Sequence, residues 1–457
     1  MKEKDNFILD IKRLGINGEG IGFYNRMTTF VENAIPGEGH AVEVTEVKDK
    51  MVFAKSLEIK RISKERIIPS CPYYNECGGC NVSHISYDKM LELKRDLVIE
   101  AISRYTSLNP RSFEIRKTVP SIEQFGYRNK SQLAIQKIEE DYTVSMLKAK
   151  SNRLVPIKEC LVQKPLVNQL NQQILKYAKE LGISVYLPKF NRGVLRYLVV
   201  RVNEADEALV CLICAEKNNK IKDLAKKIIE NPKVRSVYES FNYSKKEGTF
   251  FGEELNHLEG TPYIVERVGH IQYKIYPNTF FQLNTKQAKN IFDLVLKSCK
   301  LSRKERVLDA YCGVGAIGLY LASMAKEVVG IEYNKDAVLA ANENAKMNKI
   351  SNAKFLQGDA AMLLPSMIDK GEVFDVVVVD PPRTGLGSDF IDAILKTKVK
   401  KIVYVSCNPA TLAKDLEKLC KDYKVNSITP LDMFPQTALV ESIVSMTHIE
   451  SASVKNK

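Results

Sequence analysis

The stretch from Val307 to Gly318 limits the fold more than any other. It reads Val-Leu-Asp-Ala-Tyr-Cys-Gly-Val-Gly-Ala-Ile-Gly: an apolar strand, a Gly-x-Gly-x-x-Gly turn and the opening of a helix. Glycines at such a turn let the backbone bend tightly and come close to a ligand. From about residue 288 onward, apolar runs (Arg306 to Tyr311, Glu327 to Ile331, Phe374 to Asp380, Lys401 to Val405) alternate with helical stretches. That alternation predicts a doubly wound α/β sheet, a Rossmann-like layout that binds ligands beyond the C-terminal ends of its strands.

Acidic residues fall at those ends. Glu332 follows Gly313 by nineteen residues and closes the run Val328 to Ile331, where a carboxylate can hold both hydroxyls of a ribose. The glycine pattern alone also suits a dinucleotide. The Asp-Ala-Tyr-Cys-Gly start and Asp359, placed where an acid could reach an adenine edge, favour S-adenosylmethionine. Asp359 could equally cap the helix that follows it. A fourth run delivers Asp380-Pro381-Pro382-Arg383, whose prolines stiffen the turn and present the Asp380 carboxylate at the binding edge.

Ser406-Cys407-Asn408-Pro409 follows the apolar run Lys401 to Val405 and precedes a helical stretch, so Cys407 sits at a strand-to-helix turn. A lone cysteine after a strand is more often core than nucleophile. Beside a cofactor loop and the Asp380 turn, a nucleophilic thiolate is the better reading. A thiol is only a few per cent ionised at neutral pH, so positive charge or a helix dipole at the turn is expected to assist it. Glu441, in a mostly apolar strand near the chain end, is the candidate base. A thiolate, a base and a methyl donor are what methylation at C5 of a pyrimidine requires. Sulfur adds to C6, C5 becomes electron-rich, and the base later removes the C5 proton.

At 457 residues the chain is expected to form two to four domains. Short alternating segments (Phe7 to Ile11, Thr28 to Val31, Ala41 to Val47, Val52 to Leu57) separated by glycine turns predict a small β-barrel over 1–60. Tyr87 to Tyr105 reads as an amphipathic helix. Residues 61–277 read as α+β, with strands Gln132 to Gln136, Leu195 to Val202 and Ala208 to Cys214 and helices Val167 to Glu180 and Lys220 to Ile229. Residues 278–457 form the α/β domain, and Ser451 to Lys457 read as a disordered tail.

Formal net charge is +13 and the pI about 9.0, as expected of a protein with a polyanionic partner. The first sixty residues are nearly balanced, nine basic against ten acidic, whereas 61–160 hold seventeen against twelve. Attraction to phosphates is therefore expected from the middle and C-terminal parts, with Arg116-Lys117 and Gly126-Tyr127-Arg128-Asn129-Lys130 as candidate contacts. The mixed-charge start lacks an apolar signal region, and no run reaches about 18 uncharged apolar residues. This predicts a cytoplasmic protein without membrane association.

Ten cysteines in such a chain point to metal or catalysis rather than disulfides. Cys71, Cys77 and Cys80 make a compact loop that Cys160 could complete, with zinc and a 4Fe-4S cluster equally compatible with the spacing. Cys211 and Cys214, three apart in a strand, read as core, and Cys299, Cys312 and Cys420 receive no role.

Together, Asp380-Pro-Pro-Arg, Ser406-Cys407-Asn408-Pro409 and Glu441 resemble the RNA uracil-5 methyltransferase family, which makes 5-methyluridine, and the resemblance extends over nearly the whole chain. It implies Cys407 as nucleophile, Glu441 as base, and contacts to S-adenosylmethionine from Gln282, Tyr311, Glu332, Asp359 and Asp380. Many relatives carry a histidine two places before the glutamate; Leu439 stands there here. The Gly-Glu-Gly-Ile-Gly and Ile-Pro-Gly-Glu patches look like a TRAM domain, an OB-type RNA-binding barrel. The subset of the family with that domain often holds a 4Fe-4S cluster, which favours iron-sulfur on Cys71, Cys77, Cys80 and Cys160. The barrel and the four cysteines also imply 23S rRNA as substrate, with the tRNA T-loop as the alternative. The target uridine must be unpaired or flipped out, with Phe280 and Phe281 as candidate flanking rings. A silent RNA-binding module or a radical methylthio-transferring enzyme fits these motifs less well. A monomer is expected.

Overall fold

The computed structural model describes residues 1–243 and 250–453. These fall into two compact units. One comprises 1–75, 79–121 and 380–457; the other comprises 76–78 and 122–379.

In the first unit the N-terminal segment forms one mixed sheet. Its strand order is Asn6–Asp10, Gly39–Lys48, Met51–Arg61, Met27–Val31, Gly20–Tyr24, Arg13–Leu14. Alternation drives it: Leu9, Ile11, Val31, Val42 and Ala54 point inward and make a small core. The strand Gly20–Tyr24 was hidden in the sequence because its glycines resemble turn signals. A Cβ on Gly22 would meet the Asp10 carbonyl at 2.5 Å, so glycine there permits close backbone approach within a strand. The helix Tyr87–Tyr105 buries Met90, Leu93, Leu97 and Val98, and its Met90, Leu93 and Leu97 join a cluster with Ile35, Val82 and Ala438. A second sheet of this unit orders Lys401–Ser406, Glu441–His448, Tyr423–Leu431 and Glu114–Ile115, with the first three antiparallel. Its last strand runs into the helix Ile449–Ser453, where a disordered tail was expected. The backbone N–H groups of His448 and Ile449 donate to Lys400 and Asp422 and pin that start. Residues 454–457 of the expected tail lie outside the described residues.

In the second unit a seven-stranded sheet orders Leu154–Ile157, Asp141–Leu147, Lys130–Ile138, Leu195–Val202, Ala208–Cys214, Val234–Phe241 and Glu254–Gly260. The strand Ala208–Cys214 is buried on both faces, which accounts for Cys211 and Cys214 as core residues. Four further strands are parallel, in the order Ala353–Gln357, Glu327–Glu332, Arg306–Ala310, Val376–Val379. The direction of strand addition reverses after Arg306–Ala310, the topological switch of a doubly wound sheet. Among the described residues no helix is long and apolar enough to cross a membrane.

Candidate active site

Local chemistry fixes the turn that carries Cys407. The Ser406 hydroxyl accepts from the Asn408 N–H at 3.2 Å, and the Asn408 side chain caps the helix Pro409–Leu419 by accepting from the Ala410 N–H at 3.0 Å. Proline at the first helical position lacks only a donor that would be left over there anyway. The Asn408 amide also donates to the Arg383 carbonyl at 3.2 Å, and the Thr411 hydroxyl donates to the same oxygen. Thus the Asp380–Arg383 turn and the Cys407 turn are tied together. Deeper in, the buried Asp415 carboxylate accepts from the Leu386 N–H and the Tyr404 hydroxyl, anchoring both from below.

Register then brings Glu441 to the same place. Lys401–Ser406 pairs antiparallel with Glu441–His448 so that Ser406 lies opposite Ser442, which brings Cys407, just past the end of its strand, and Glu441, the first residue of its own, to the same end of the pair, near enough for Glu441 to act on the thiol. Directly paired residues in such a ladder are about 5 Å apart. On the other side of Glu441 lies Leu431.

Asp380, Cys407 and Glu441 share one weakly polar environment. Burial pushes the Glu441 carboxyl up to about 8, reinforced by Asp380, while Arg383 and Lys94 act in the opposite sense. Burial alone raises Asp380 to about 7. The Cys407 thiol is pushed up to about 11 by burial, then by Glu441 and Asp380, with Arg383 and a backbone hydrogen bond at Cys407 lowering it. The positive charge expected at the turn does ease ionisation of this thiol, but the net shift is upward. Two acids and partial burial outweigh one exposed guanidinium and the helix start.

Motif reading missed the group behind Glu441. Lys94, on the helix Tyr87–Tyr105, is fully buried; its Nζ donates to the Asp432 carboxylate and, at 3.3 Å, to the Phe434 carbonyl. The Tyr87 hydroxyl donates to the other Asp432 oxygen at 2.8 Å. The available signal was a lysine inside the apolar stripe Met90, Leu93, Leu97, Val98. Leu439 is half-buried and presents no polar side-chain atom here.

The cofactor candidates of the second unit line the C-terminal ends of three adjacent strands. Tyr311 follows Arg306–Ala310 in the left-handed backbone region, as do Gly313 and Gly315. The Glu332 carboxylate accepts from the Gly313 N–H at 3.1 Å and the Asn334 N–H at 2.9 Å, so it braces the glycine turn. Asp359 caps the helix Ala360–Asp369 through the Ala361 N–H at 2.8 Å, and its strand neighbour Gly358 donates to the Glu332 carbonyl. Gln282 is half-buried before the helix Thr285–Cys299, its carbonyl accepting from Asn129 at 3.0 Å. A side chain built at Gly313 would meet open space within 4 Å. That opening beside the Glu332 carboxylate fits the adenosine part of S-adenosylmethionine.

Other expectations divide. Phe281 is core, against Tyr273, whereas Phe280 is 71 % exposed. The run Gly126 to Lys130 turns inward rather than toward phosphates: Tyr127 and Asn129 are buried, and Lys130 donates to the Pro277 carbonyl, burial lowering its amine to about 7. Arg116 is half-buried and pairs with Glu114; Lys117 is exposed. All ten cysteines are thiols. Cys71, Cys77, Cys80 and Cys160 do not assemble a metal-holding group: among the described residues no three Cys, His, Asp or Glu side chains are so placed. The Cys77 backbone bridges to Lys148, the Cys160 N–H donates to the Asn168 side chain, and Cys77 helps to raise the Cys160 thiol after burial, the larger cause.

A family model described as tRNA (uracil-5-)-methyltransferase matches residues 86–449. The chain belongs to this family. An uncharacterised RNA methyltransferase of Halalkalibacterium halodurans is 40% identical over 452 residues, covering 98% of this chain and 97% of the relative. One from Bacillus anthracis is 37% identical over 444 residues, 96% of each. The crystal structure of the Pyrococcus abyssi tRNA (uracil-54, C5)-methyltransferase in complex with S-adenosyl-L-homocysteine has a TM-score of 0.75 at 31% identity, covering 96% of this chain and all of that one. As a uracil-5 methyltransferase the protein is an enzyme that acts on RNA and takes its methyl group from S-adenosylmethionine.

Proposed function

We propose that this uracil-5 methyltransferase modifies a uridine of 23S rRNA through a transient bond between the Cys407 sulfur and C6 of the ring. The observation that carries the reading is the strand register that sets Ser406 opposite Ser442 and so brings Cys407 and Glu441 to the same end of the paired strands. Having lost its proton, the sulfur bonds to C6, and the C5–C6 π pair shifts toward C5 and the C4 carbonyl. S-adenosylmethionine, when bound, supplies an electrophilic methyl group for C5. Gln282, Tyr311, Glu332, Asp359 and Asp380 are the residues assigned to hold it. The Glu441 carboxylate then removes the remaining C5 proton; the freed pair restores the C5–C6 double bond as the C6–S bond breaks and returns its pair to sulfur. Overall, one methyl replaces one proton.

The choice of rRNA rests on the N-terminal segment, assigned as a TRAM barrel over 1–60, and on the cysteine set of the 61–277 region that precedes the methyltransferase domain, 278–457. A second reading, uridine 54 of tRNA, is favoured by the Pyrococcus abyssi enzyme, whose whole length is matched, the N-terminal part included. For Cys71, Cys77, Cys80 and Cys160 a 4Fe-4S cluster, or zinc, is proposed on spacing and resemblance alone, and no step of the reaction passes through it. Iron, sulfide and zinc analysis of anaerobically purified protein is expected to find a cluster; metal-free, fully active protein rejects it. The protein is assigned to the cytoplasm as a monomer.

The test uses transcribed 23S rRNA fragments and tRNA carrying 5-fluorouridine. Fluorine cannot leave C5 as a proton, so a stable protein–RNA adduct is expected on denaturing gels with wild type and none with Cys407→Ala. An adduct that persists in the alanine variant overturns the nucleophile. Mapping the trapped nucleotide decides between the two RNAs.

A further inference from the structure

Lys94 is a fully buried charged side chain of the first unit to which the reaction steps above give no role. A lysine ammonium removed from water loses several kcal/mol of hydration, which only a close, fully hydrogen-bonded partner offsets. Here it is fully buried in the apolar stripe of the helix Tyr87–Tyr105. It donates to Asp432 and to the Phe434 carbonyl, and Asp432 is completed by the Tyr87 hydroxyl. Asp432 follows Leu431, the residue paired directly with Glu441. The pair therefore sits one residue from the cross-strand neighbour of Glu441, on the side away from Cys407.

We propose that Lys94, held by Asp432, is a positioning residue that keeps the Glu441 carboxylate available for proton removal. This rests on Glu441 being the base. Every charged or titratable group facing Glu441 enters the balance. Asp380 and Cys407 oppose ionisation; Arg383 from the exposed turn and Lys94 from the helix favour it, with Asp432 and Tyr87 fixing where the ammonium stands. Arg383 exerts the larger of the two effects and Lys94 adds to it from the buried side, where water does not screen it.

The experiment measures single-turnover loss of tritium from C5 of the target uridine, the step that Glu441 performs, over a pH series, using the full chain and the transcribed RNA, without fluorine, that gives the adduct when fluorinated. Variants are Lys94→Met, the doubly neutral Lys94→Met/Asp432→Asn, Lys94→Arg and Glu441→Gln. Removing the cation is expected to move the midpoint of the profile upward, so that the rate at neutral pH falls about tenfold while the alkaline plateau and the KM for RNA stay within about twofold. Lys94→Arg is expected to restore the midpoint. The double variant leaves no lone buried charge and carries the test should Lys94→Met not fold. An unmoved midpoint with a uniformly lower plateau means that Lys94 only holds the fold, and overturns the proposal while leaving Glu441 as base. A Glu441→Gln variant with wild-type rates removes the base reading itself and this proposal with it.

Discussion

At Glu441 a single side chain combines two conflicting demands. A base must be ionised to act, yet its site withholds water and adds the Asp380 carboxyl. With its carboxyl near 8, about a tenth is ionised at pH 7. Turnover at saturating substrates is thus expected to rise with pH from about 7 to 9 as Glu441 ionises, and not to fall above that while the Cys407 thiol, pushed up to about 11, is still ionising, as stopped-time assays across buffers would reveal; a rate falling over that range contradicts the assignment. Stability follows the opposite course. Asp380 and Glu441 are both raised above their unfolded values, so each contributes fully below about pH 4, and the contribution is lost as pH climbs through about 7 and 8 respectively. Replacing Glu441 by Gln removes one share of that loss, so the variant's melting temperature is expected to decline less than the wild type's between pH 6 and 9. Calorimetry at several pH values checks it.

Among the elements, the unit Lys401–Ser406, turn, Pro409–Leu419 was the most legible, because strand, cap and proline follow one another without interruption. Asn408 does two jobs that mutation can separate. Asn408→Ala removes the cap and the bond to the Arg383 carbonyl, and is expected to lose about 1 kcal/mol of stability together with turnover. Asn408→Ser keeps a capping oxygen but cannot reach Arg383 with an amide, so near-normal melting with lowered turnover is the expected outcome. Equal melting losses in both variants would place the whole stability effect in the bond to Arg383 and none in the cap. Less legible were Gly20–Tyr24, where strand glycines imitate turns, and the inward face of the helix Tyr87–Tyr105, where nothing in the local pattern singled out Lys94. Charge alone likewise misplaced Lys130, which a carbonyl partner draws inside. In each case a partner far along the chain, unseen in the local pattern, decided the outcome.

For the molecule as a whole, the sequence by itself determined the parallel α/β segment, the turn that bears Cys407 and the family to which the chain belongs. Those features are written in local patterns: apolar period, glycines where the backbone bends, and caps that follow strands. Only the tertiary structure decided what surrounds the reacting groups. Glu441 comes beside Cys407 because two strands distant in sequence pair in one register. Lys94 comes behind it because a helix more than three hundred residues earlier packs its apolar stripe there. Among the described residues no three Cys, His, Asp or Glu side chains are placed to hold a metal, which the spacing of the cysteines could not decide. Ionisation depends on which charges and how much water stand within a few ångströms of a group, and those distances are set by long-range pairing rather than by any neighbour in the chain.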